Sequence, residues 1–405
     1  MAFAQTNYTT GSTPNTDPIR VMVVDDAVVI RGLLGRWLDA DPALAVVASH
    51  RNGKLAVDDI LRSDPDVVVL DIEMPEMDGL TALPLMLAKK RDLVVVMAST
   101  LTRRNAEISL KALSLGAADY VPKPETTSEV TTSVDFRREL IDKVKALGER
   151  ARRLRGRGRV MRAETNAGRT ASLAPVGALA ARAAPSAMTA RAAAPEPAAK
   201  GALKLRPYSS ARPRILAIGS STGGPQALQQ VMRDIGTSIG EIPVVVTQHM
   251  PPTFTAILAE HLGKAALRPS KEAETGDTLM PGHIYVAPGG KHMILEKDAG
   301  AVKVRLTDDP PVNFCKPAVD PLFDSVAKVY GSATLGLILT GMGHDGANGV
   351  KTIAAGGGSV ITQDEASSVV WGMPGAAANT GMCSDVLPLA EIGPKIVRVL
   401  KGMVR

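Results

Sequence analysis

Three residues far apart in the chain carry the side chains of acyl-transfer chemistry: Ser221, His249 and Asp345. Ser221 lies in Gly219-Ser220-Ser221-Thr222-Gly223, a G-x-S-x-G pattern of the kind that presents a nucleophile at a tight strand-to-helix turn. Glycines on either side leave room for a serine at the tip of such a turn. Serine alone is a weak nucleophile at neutral pH. A histidine within hydrogen-bond reach takes its proton, and a carboxylate on the far ring nitrogen fixes the tautomer and stabilises the imidazolium. The same stretch has two other readings, a plain glycine turn and an anion-binding loop at a helix N-terminus. His283, His292 and His344 compete with His249 for the role of base, whereas His50 and His261 are expected to be structural. Asp345 could instead cap the helix expected from Ala347. The order serine, histidine, aspartate also differs from that of α/β-hydrolases, in which the acid precedes the histidine.

A second reactive set lies nearer the N-terminus. Asp25 and Asp26 follow an apolar run, Asp71 closes another, Ser99 and Thr100 close a third, and Lys123 ends a fourth. Carboxylates converging on one edge repel each other unless a hard cation binds among them, and oxygen donors suit magnesium. Helix capping would explain Asp25 or Asp71 singly, but not the arrival of a hydroxyl and a lysine at the same edge. Together these groups form the constellation that aspartyl phosphorylation needs. Metal and lysine neutralise the phosphoryl oxygens, and the hydroxyl follows the phosphate as a switch.

For either set to assemble, parallel strands must deliver their ends to one rim. Residues 19 to 148 alternate accordingly, with strands expected at Ile19–Val24, Leu44–Ala48, Val67–Leu70, Leu93–Ala98 and Asp119–Val121. Helical patterns fill the gaps at Val28–Asp39, Gly53–Arg62, Thr81–Lys90, Asn105–Leu115 and Phe136–Leu147. Strict alternation predicts a doubly wound parallel sheet, whose ligands sit beyond the carboxyl ends of the strands. From Arg212 a second α/β pattern begins. Its strands are expected at Ile215–Ile218, Pro243–Thr247, Leu335–Leu339 and Ser359–Thr362, with a hairpin of Met293–Leu295 against Val302–Leu306. Helices are expected from Pro225, over Ala347–Ala355 and over Glu391–Leu400. Residues 1–18 are expected to be a disordered tail, 149–211 a flexible linker, and 212–405 a domain with a mainly parallel sheet.

The chain has 405 residues, 45% hydrophobic and 22% charged, enough for two or three domains with real cores. The net charge of +6 is unevenly spread. Residues 149–214 hold 15 Lys and Arg against 3 Asp and Glu, a net of +12, so the remainder carries −6. The basicity belongs to a segment rich in alanine, arginine and proline, which argues for a solvated linker over a DNA-reading surface. No apolar run approaches the roughly 20 residues that span a bilayer, and the polar stretch MAFAQTNYTTGSTPNTDP is not expected to act as a signal peptide. Cys315 and Cys383 make no disulfide framework and are expected to be buried small hydrophobes in a cytoplasmic protein.

VMVVDD, LDIEMPEMDGL and DYVPKP resemble the marks of response-regulator receiver domains. That resemblance implies Asp71 as phosphoacceptor, magnesium held by Asp25, Asp26, Asp71 and the backbone carbonyl of Glu73, and Lys123 as the phosphate partner. It further implies Ser99, or Thr100 in its place, as the switch hydroxyl and Tyr120 as the switch aromatic. AIGSSTGGPQAL, TQHMPPTF, IYVAPGGKHM, LTGMGHDGANG and ITQDEASSVVWGMPGAA resemble the catalytic domain of chemotaxis protein-glutamate methylesterases. This second resemblance implies Ser221 as nucleophile, His249 as general base and Asp345 as its orienter. It also implies Thr222 as an aid to placing His249, and the Met342 amide as part of an oxyanion hole. The implied substrates are glutamyl methyl esters, with receptor glutamines for an accompanying deamidase activity, on cytoplasmic domains of methyl-accepting chemoreceptors. A chemotaxis histidine kinase is the implied phosphodonor, and the esterase step itself needs no cofactor. Two rival functions are a regulator whose GSSTGG loop binds a nucleotide without catalysis, and a transcriptional regulator using the basic linker on DNA.

Overall fold

The computed structural model describes residues 17–100, 102–123, 134–170 and 203–403. Its first unit is built on β1 (Ile19–Val24), β2 (Leu44–His50), β3 (Val67–Asp71), β4 (Val94–Thr100) and β5 (Asp119–Lys123), all parallel in the order β2-β1-β3-β4-β5. Central β3, VVVLD, is buried at every position, as a parallel strand covered on both faces must be. One face packs on α1 (Val28–Asp39) and on α5 (Val134–Thr170) through Leu34, Leu38, Leu140 and Val144. The other packs on α2 (Gly53–Ser63), α3 (Gly79–Lys89) and α4 (Arg103–Ser114) through Ile60, Leu83, Met86 and Leu110. The sheet is therefore wound on both faces, as expected.

The second unit is a seven-stranded sheet, ordered β14-β13-β12-β6-β7-β9-β8 and parallel throughout. Its central strands are β6 (Ile215–Ser220), β7 (Val244–Gln248) and β12 (Thr334–Ile338), flanked by β13 (Ser359–Gln363). Short edge strands complete it: β8 (Ser270–Glu272), β9 (Ile284–Val286) and β14 (Asp385–Leu387). Helices α6 (Gly224–Ile235), α7 (Phe254–Ala266) and α11 (Leu389–Leu400) cover one face. On the other lie α8 (Val319–Tyr330), α9 (Ala347–Ala355) and α10 (Met373–Asn379), beside the antiparallel hairpin β10 (His292–Asp298) and β11 (Ala301–Thr307).

The three-residue strands and α8 and α10 were not expected from the sequence. Three residues are too few to display a period, and α8 follows a loop with no regular pattern. The chain between the two sheets also differs from the expected flexible linker of 149–211. Helix α5 continues past 148 to Thr170, because the arginine-rich segment contains no proline before that point. Residues 203–211 pack on the second unit: the Arg206 amide donates to the Cys383 carbonyl at 2.9 Å, and Tyr208 Oη donates to Asp385 Oδ2 at 2.7 Å. The expected tail and the middle of the expected linker, residues 1–16 and 171–202, lie outside the described residues. Among the described residues, no helix is long and apolar enough to cross a membrane.

Candidate active site

Strands β6 and β7 are neighbours, with Ser220 paired to Gln248, so the next residues, Ser221 and His249, leave the sheet side by side at its carboxyl rim. Backbone bonds pin both: the Ser221 amide donates to the Thr340 carbonyl at 3.0 Å and the His249 amide to the Ser220 carbonyl at 3.1 Å. Gln248 ties the pair underneath, accepting from Ser220 Oγ at 2.7 Å and donating through Nε2 to the Ser221 carbonyl at 2.9 Å. The left-handed residue of the turn is Gly223, with φ of 73°, rather than the serine. Gly224, at the start of α6, passes so close to Gln248 that a Cβ there would lie 2.0 Å from Oε1. On the other side of β6, strand β12 carries the chain into the loop that ends at Asp345.

Asp345 is 2% exposed, and its Oδ2 lies 2.8 Å from His249 Nε2. The same carboxylate accepts from the Val319 and Asp320 amides at 2.6 and 3.2 Å, from the Gly346 amide at 3.0 Å and from Asn313 Nδ2 at 3.0 Å. Val319 and Asp320 open α8, so Asp345 satisfies that helix's free amides and faces its positive end. It does not cap the helix from Ala347, whose N-cap Gly346 has no side-chain bond. Burial alone would raise the Asp345 pKa, but His249 and the donors around the carboxylate outweigh it and hold the group below the ordinary carboxylate value. Burial likewise disfavours a charged His249 ring, yet bonds to Asp345 and Cys315 prevail and push its pKa up to about 10.

The other ring nitrogen, Nδ1, lies 3.3 Å from Cys315 Sγ. Cys315 is half-buried beside the histidine, so the expectation of two inert buried cysteines is corrected here; it holds only for Cys383, at 0% exposure. The sharp turn at Asn313 and Phe314, with φ of 53° and 64°, swings the sulfur inward. Asn313, Asp320 and Cys315 were all missed, because they lie in a stretch without local periodicity; asparagine's tolerance of the left-handed region is the one signal the sequence offered. Thr222, expected to help place His249, has a buried hydroxyl with no hydrogen-bond partner, and only its carbonyl is engaged, by Thr340 Oγ1 at 2.9 Å. Its aid to His249 is thus not a hydrogen bond in this structure. Met342 follows Gly341, which passes so near the serine that a Cβ there would sit 2.9 Å from Ser221 Cβ. His292 is buried and held by Pro310 and Ala318, His283 bonds its own turn, and His344 is exposed, so none of the three joins the cluster. His50 pairs with Asp59 at 2.9 Å inside the first unit, and half-buried His261 lies on α7.

At the rim of the first sheet, Asp25, Asp26 and Asp71 hold carboxylate oxygens within 4.8 Å of one another. Lys123 Nζ reaches Asp71 Oδ1 at 2.7 Å and Asp25 Oδ2 at 3.0 Å. Burial raises the Asp71 pKa to about 6 against the pull of Lys123. An all-oxygen donor set with more negative charge than one lysine offsets fits a hard divalent cation such as magnesium. Glu73 stands exposed in the loop after β3. The two expected switch hydroxyls point to α4: Ser99 Oγ lies 2.8 Å from Ser109 Oγ, and Thr100 Oγ1 accepts from Asn105 Nδ2 at 2.7 Å. Tyr120 is buried and turned inward.

That tyrosine lies at the seam between the two units. Its ring stacks on Phe254, the first residue of α7. Around it, Gln226 Nε2 donates to the Ala117 carbonyl at 3.0 Å, and Arg103 approaches Glu260 at 3.5 Å. Arg138 of α5 lies over the Phe314 ring, 5.0 Å from its centroid. Val369 packs on the core of the first unit and also crowds Gly223, two residues from Ser221.

Comparison with known proteins agrees with this anatomy. A family model described as CheB methylesterase matches residues 216–396, and one described as response regulator receiver domain matches 21–135. A protein-glutamate methylesterase/protein-glutamine glutaminase of group 2 operon from Bradyrhizobium diazoefficiens is 55% identical, covering 99% of each chain. Its namesake from Rhodopseudomonas palustris is 56% identical over 95% of each. The crystal structure of the Thermotoga maritima CheB methylesterase catalytic domain is 39% identical, covering 47% of this chain and 100% of that one, with a TM-score of 0.45. With more than half of its residues shared over nearly its whole length, the chain belongs to the protein-glutamate methylesterase/protein-glutamine glutaminase family.

Proposed function

We propose that this chain is a phosphorylation-activated serine esterase that hydrolyses γ-glutamyl methyl esters on chemoreceptors, resetting their signalling, and deamidates receptor glutamines at the same site. The observation that carries the reading is the His249–Asp345 pair, 2.8 Å apart, on the rim where Ser221 leaves the adjacent strand. Asp345 occupies Nε2, so Nδ1 is the nitrogen that takes the Ser221 proton as Oγ attacks the ester carbonyl. His249 returns that proton to the leaving methoxide, and methanol departs. Water then attacks the acyl-enzyme with His249 as base, releasing the glutamate carboxylate and restoring Ser221. Amide and ester carbonyls differ only in the leaving group, so glutamine follows the same path with ammonia released. The Met342 amide, beside Gly341 and hence beside Ser221, supports the oxyanion. Thr222 shapes the base of the turn.

In the receiver, Asp71 accepts the phosphoryl group from a chemotaxis histidine kinase. Asp25, Asp26, Asp71 and the Glu73 carbonyl would hold magnesium, which supplies charge neutralisation to the phosphate when bound. Lys123, already on Asp71 and Asp25, exchanges a carboxylate for a phosphoryl oxygen. Ser99 or Thr100 then leaves its α4 partner for the phosphate, and Tyr120 follows. Because Tyr120 rests on the helix after His249, this shift loosens the receiver from the rim and admits a large protein substrate. The substrate lies on the cytoplasmic side, and the enzyme works there as a non-membrane protein that reads no specific nucleic acid. The test is methanol release from methylated receptor membranes. Ser221→Ala should keep the fold and lose at least about 10³-fold in rate; near-normal turnover in that variant would falsify the assignment.

A further inference from the structure

The His249 nitrogen that serves Ser221 in the reaction just described, Nδ1, faces Cys315 in this structure, and the sulfur itself takes no step in that reaction. Asp345 is a buried carboxylate that accepts at His249 Nε2, so in the neutral ring that nitrogen carries the proton and the Nδ1 lone pair faces Cys315 Sγ at 3.3 Å. A sulfur and an imidazole lone pair aimed at one another are the donor pair that zinc-class cations prefer, being borderline-soft and indifferent to ligand-field geometry. Zinc bonds of about 2.3 Å to sulfur and about 2.0 Å to nitrogen, at a near-tetrahedral angle, put the two donors about 3.5 Å apart. The pair is already within a few tenths of an ångström of that separation. Asp345 supplies what metal-bound histidines almost always have, a carboxylate on the far ring nitrogen that fixes tautomer and orientation. Ligand atoms of all three residues lie within 4.8 Å of one another.

The sulfur is held there by the backbone. Val312 and Cys315 exchange amide-to-carbonyl bonds at 2.9 and 3.1 Å, and the left-handed Asn313 and Phe314 make the turn between them. Asn313 ties the same turn to Asp345. Cys383, by contrast, is fully buried, and its thiol donates to the Ala377 carbonyl at 3.4 Å.

We propose that Cys315 and His249 bind a thiophilic divalent cation of the zinc class, and that binding shuts the esterase off. As the metal bonds form, the Cys315 thiol and the His249 Nδ1 each give up the proton they carry to solvent. The His249 lone pair needed for the Ser221 proton becomes a metal bond, so no base remains. The site stands on the geometry alone, and only its inhibitory consequence rests on the function proposed above.

Cadmium titration of the full chain in metal-free buffer tests the site, since a cadmium–thiolate bond has an ultraviolet charge-transfer band that carboxylate sites such as Asp25, Asp26 and Asp71 cannot produce. One equivalent of band is expected in the wild type and in Cys383→Ala, displaced by zinc, absent in Cys315→Ala and at least tenfold weaker in affinity in His249→Ala. No band in the wild type, or an undiminished band in Cys315→Ala, would overturn the site. In methanol-release assays zinc should inhibit the wild type reversibly, with chelator restoring the rate, and Cys315→Ala should need at least tenfold more zinc relative to its own uninhibited rate. Equal zinc sensitivity in the two would overturn the switch. A normal cadmium band in a chain that never releases methanol would leave the metal site standing and count against the esterase instead.

Discussion

The Tyr120 and Phe254 rings lie face to face, centroids 4.6 Å apart and planes 9° from parallel. One belongs to the last strand of the receiver sheet, the other to the helix that follows His249, so any rearrangement of Tyr120 is felt at the rim that carries Ser221 and His249. Such a pair is worth about 0.5–1.5 kcal/mol beyond its burial, enough to change an open population up to about tenfold. Tyr120→Ala should therefore raise methanol release by the unphosphorylated chain about two- to tenfold and shrink the further gain from a phosphodonor. A basal rate that stays level or drops would remove Tyr120 from the latch.

Asn313 bridges two carboxylates, donating to Asp345 Oδ1 at 3.0 Å and to Asp320 Oδ2 at 3.1 Å. Its loss leaves Asp345 less firmly oriented toward His249. Because glycine accepts the φ of 53° without strain, Asn313→Gly isolates the side chain. It should lower kcat about 10- to 100-fold with little change in KM, as loss of a positioning contact does. A rise in KM at constant kcat would instead make Asn313 a substrate contact.

Asp71 offers a pH signature. In chelator, its folded pKa of about 6 stands above the ordinary 3.8, because burial penalises the carboxylate more than Lys123 favours it. The protonated form is thus the one that suits the fold. Its contribution is fully present below pH 3.8 and lost as pH rises through about 6. Between those limits the loss is on the order of 2–3 kcal/mol. Urea unfolding of Asp71→Asn should show the chain stabilised relative to wild type at pH 7, with the gap closing toward pH 4. A gap constant across that range would contradict a raised Asp71 pKa.

The chain just before the second sheet can be tested by truncation. Residues 203–211 bond to the catalytic unit through Arg206, Tyr208 and Ser209, the Ser209 amide reaching Ser359 Oγ at 2.8 Å. Lys395 lies over the Tyr208 ring, 4.9 Å from its centroid. At about 0.5–1.5 kcal/mol per hydrogen bond, a fragment beginning at Leu203 should melt several degrees above one beginning at Arg212. Matching melting temperatures would show that these contacts add nothing. Both fragments should outpace the unphosphorylated full chain in methanol release.

Much of the fold was legible in order along the chain. Apolar runs such as VVVLD and VVVTQ, buried on both faces, can only be central parallel strands, and the helices between them announce their period; Val28–Asp39 and Ala347–Ala355 begin and end where the pattern does. Strand ends also identified Asp25, Asp71, Ser221 and His249 as rim residues, since a parallel sheet sends every carboxyl end the same way. Partner choice across the loops belonged to the tertiary structure. Asp345 reads locally as a cap for the helix after it, yet its carboxylate serves α8 and His249, because sheet order brings β12 beside β6 and the loop beyond it back over the rim. Cys315 reads as one more apolar residue until two left-handed positions turn it onto the imidazole. Local pattern determines which segments form strands and helices; which side chains meet between them is set by strand order and irregular turns, and neither has a period for a sequence to display.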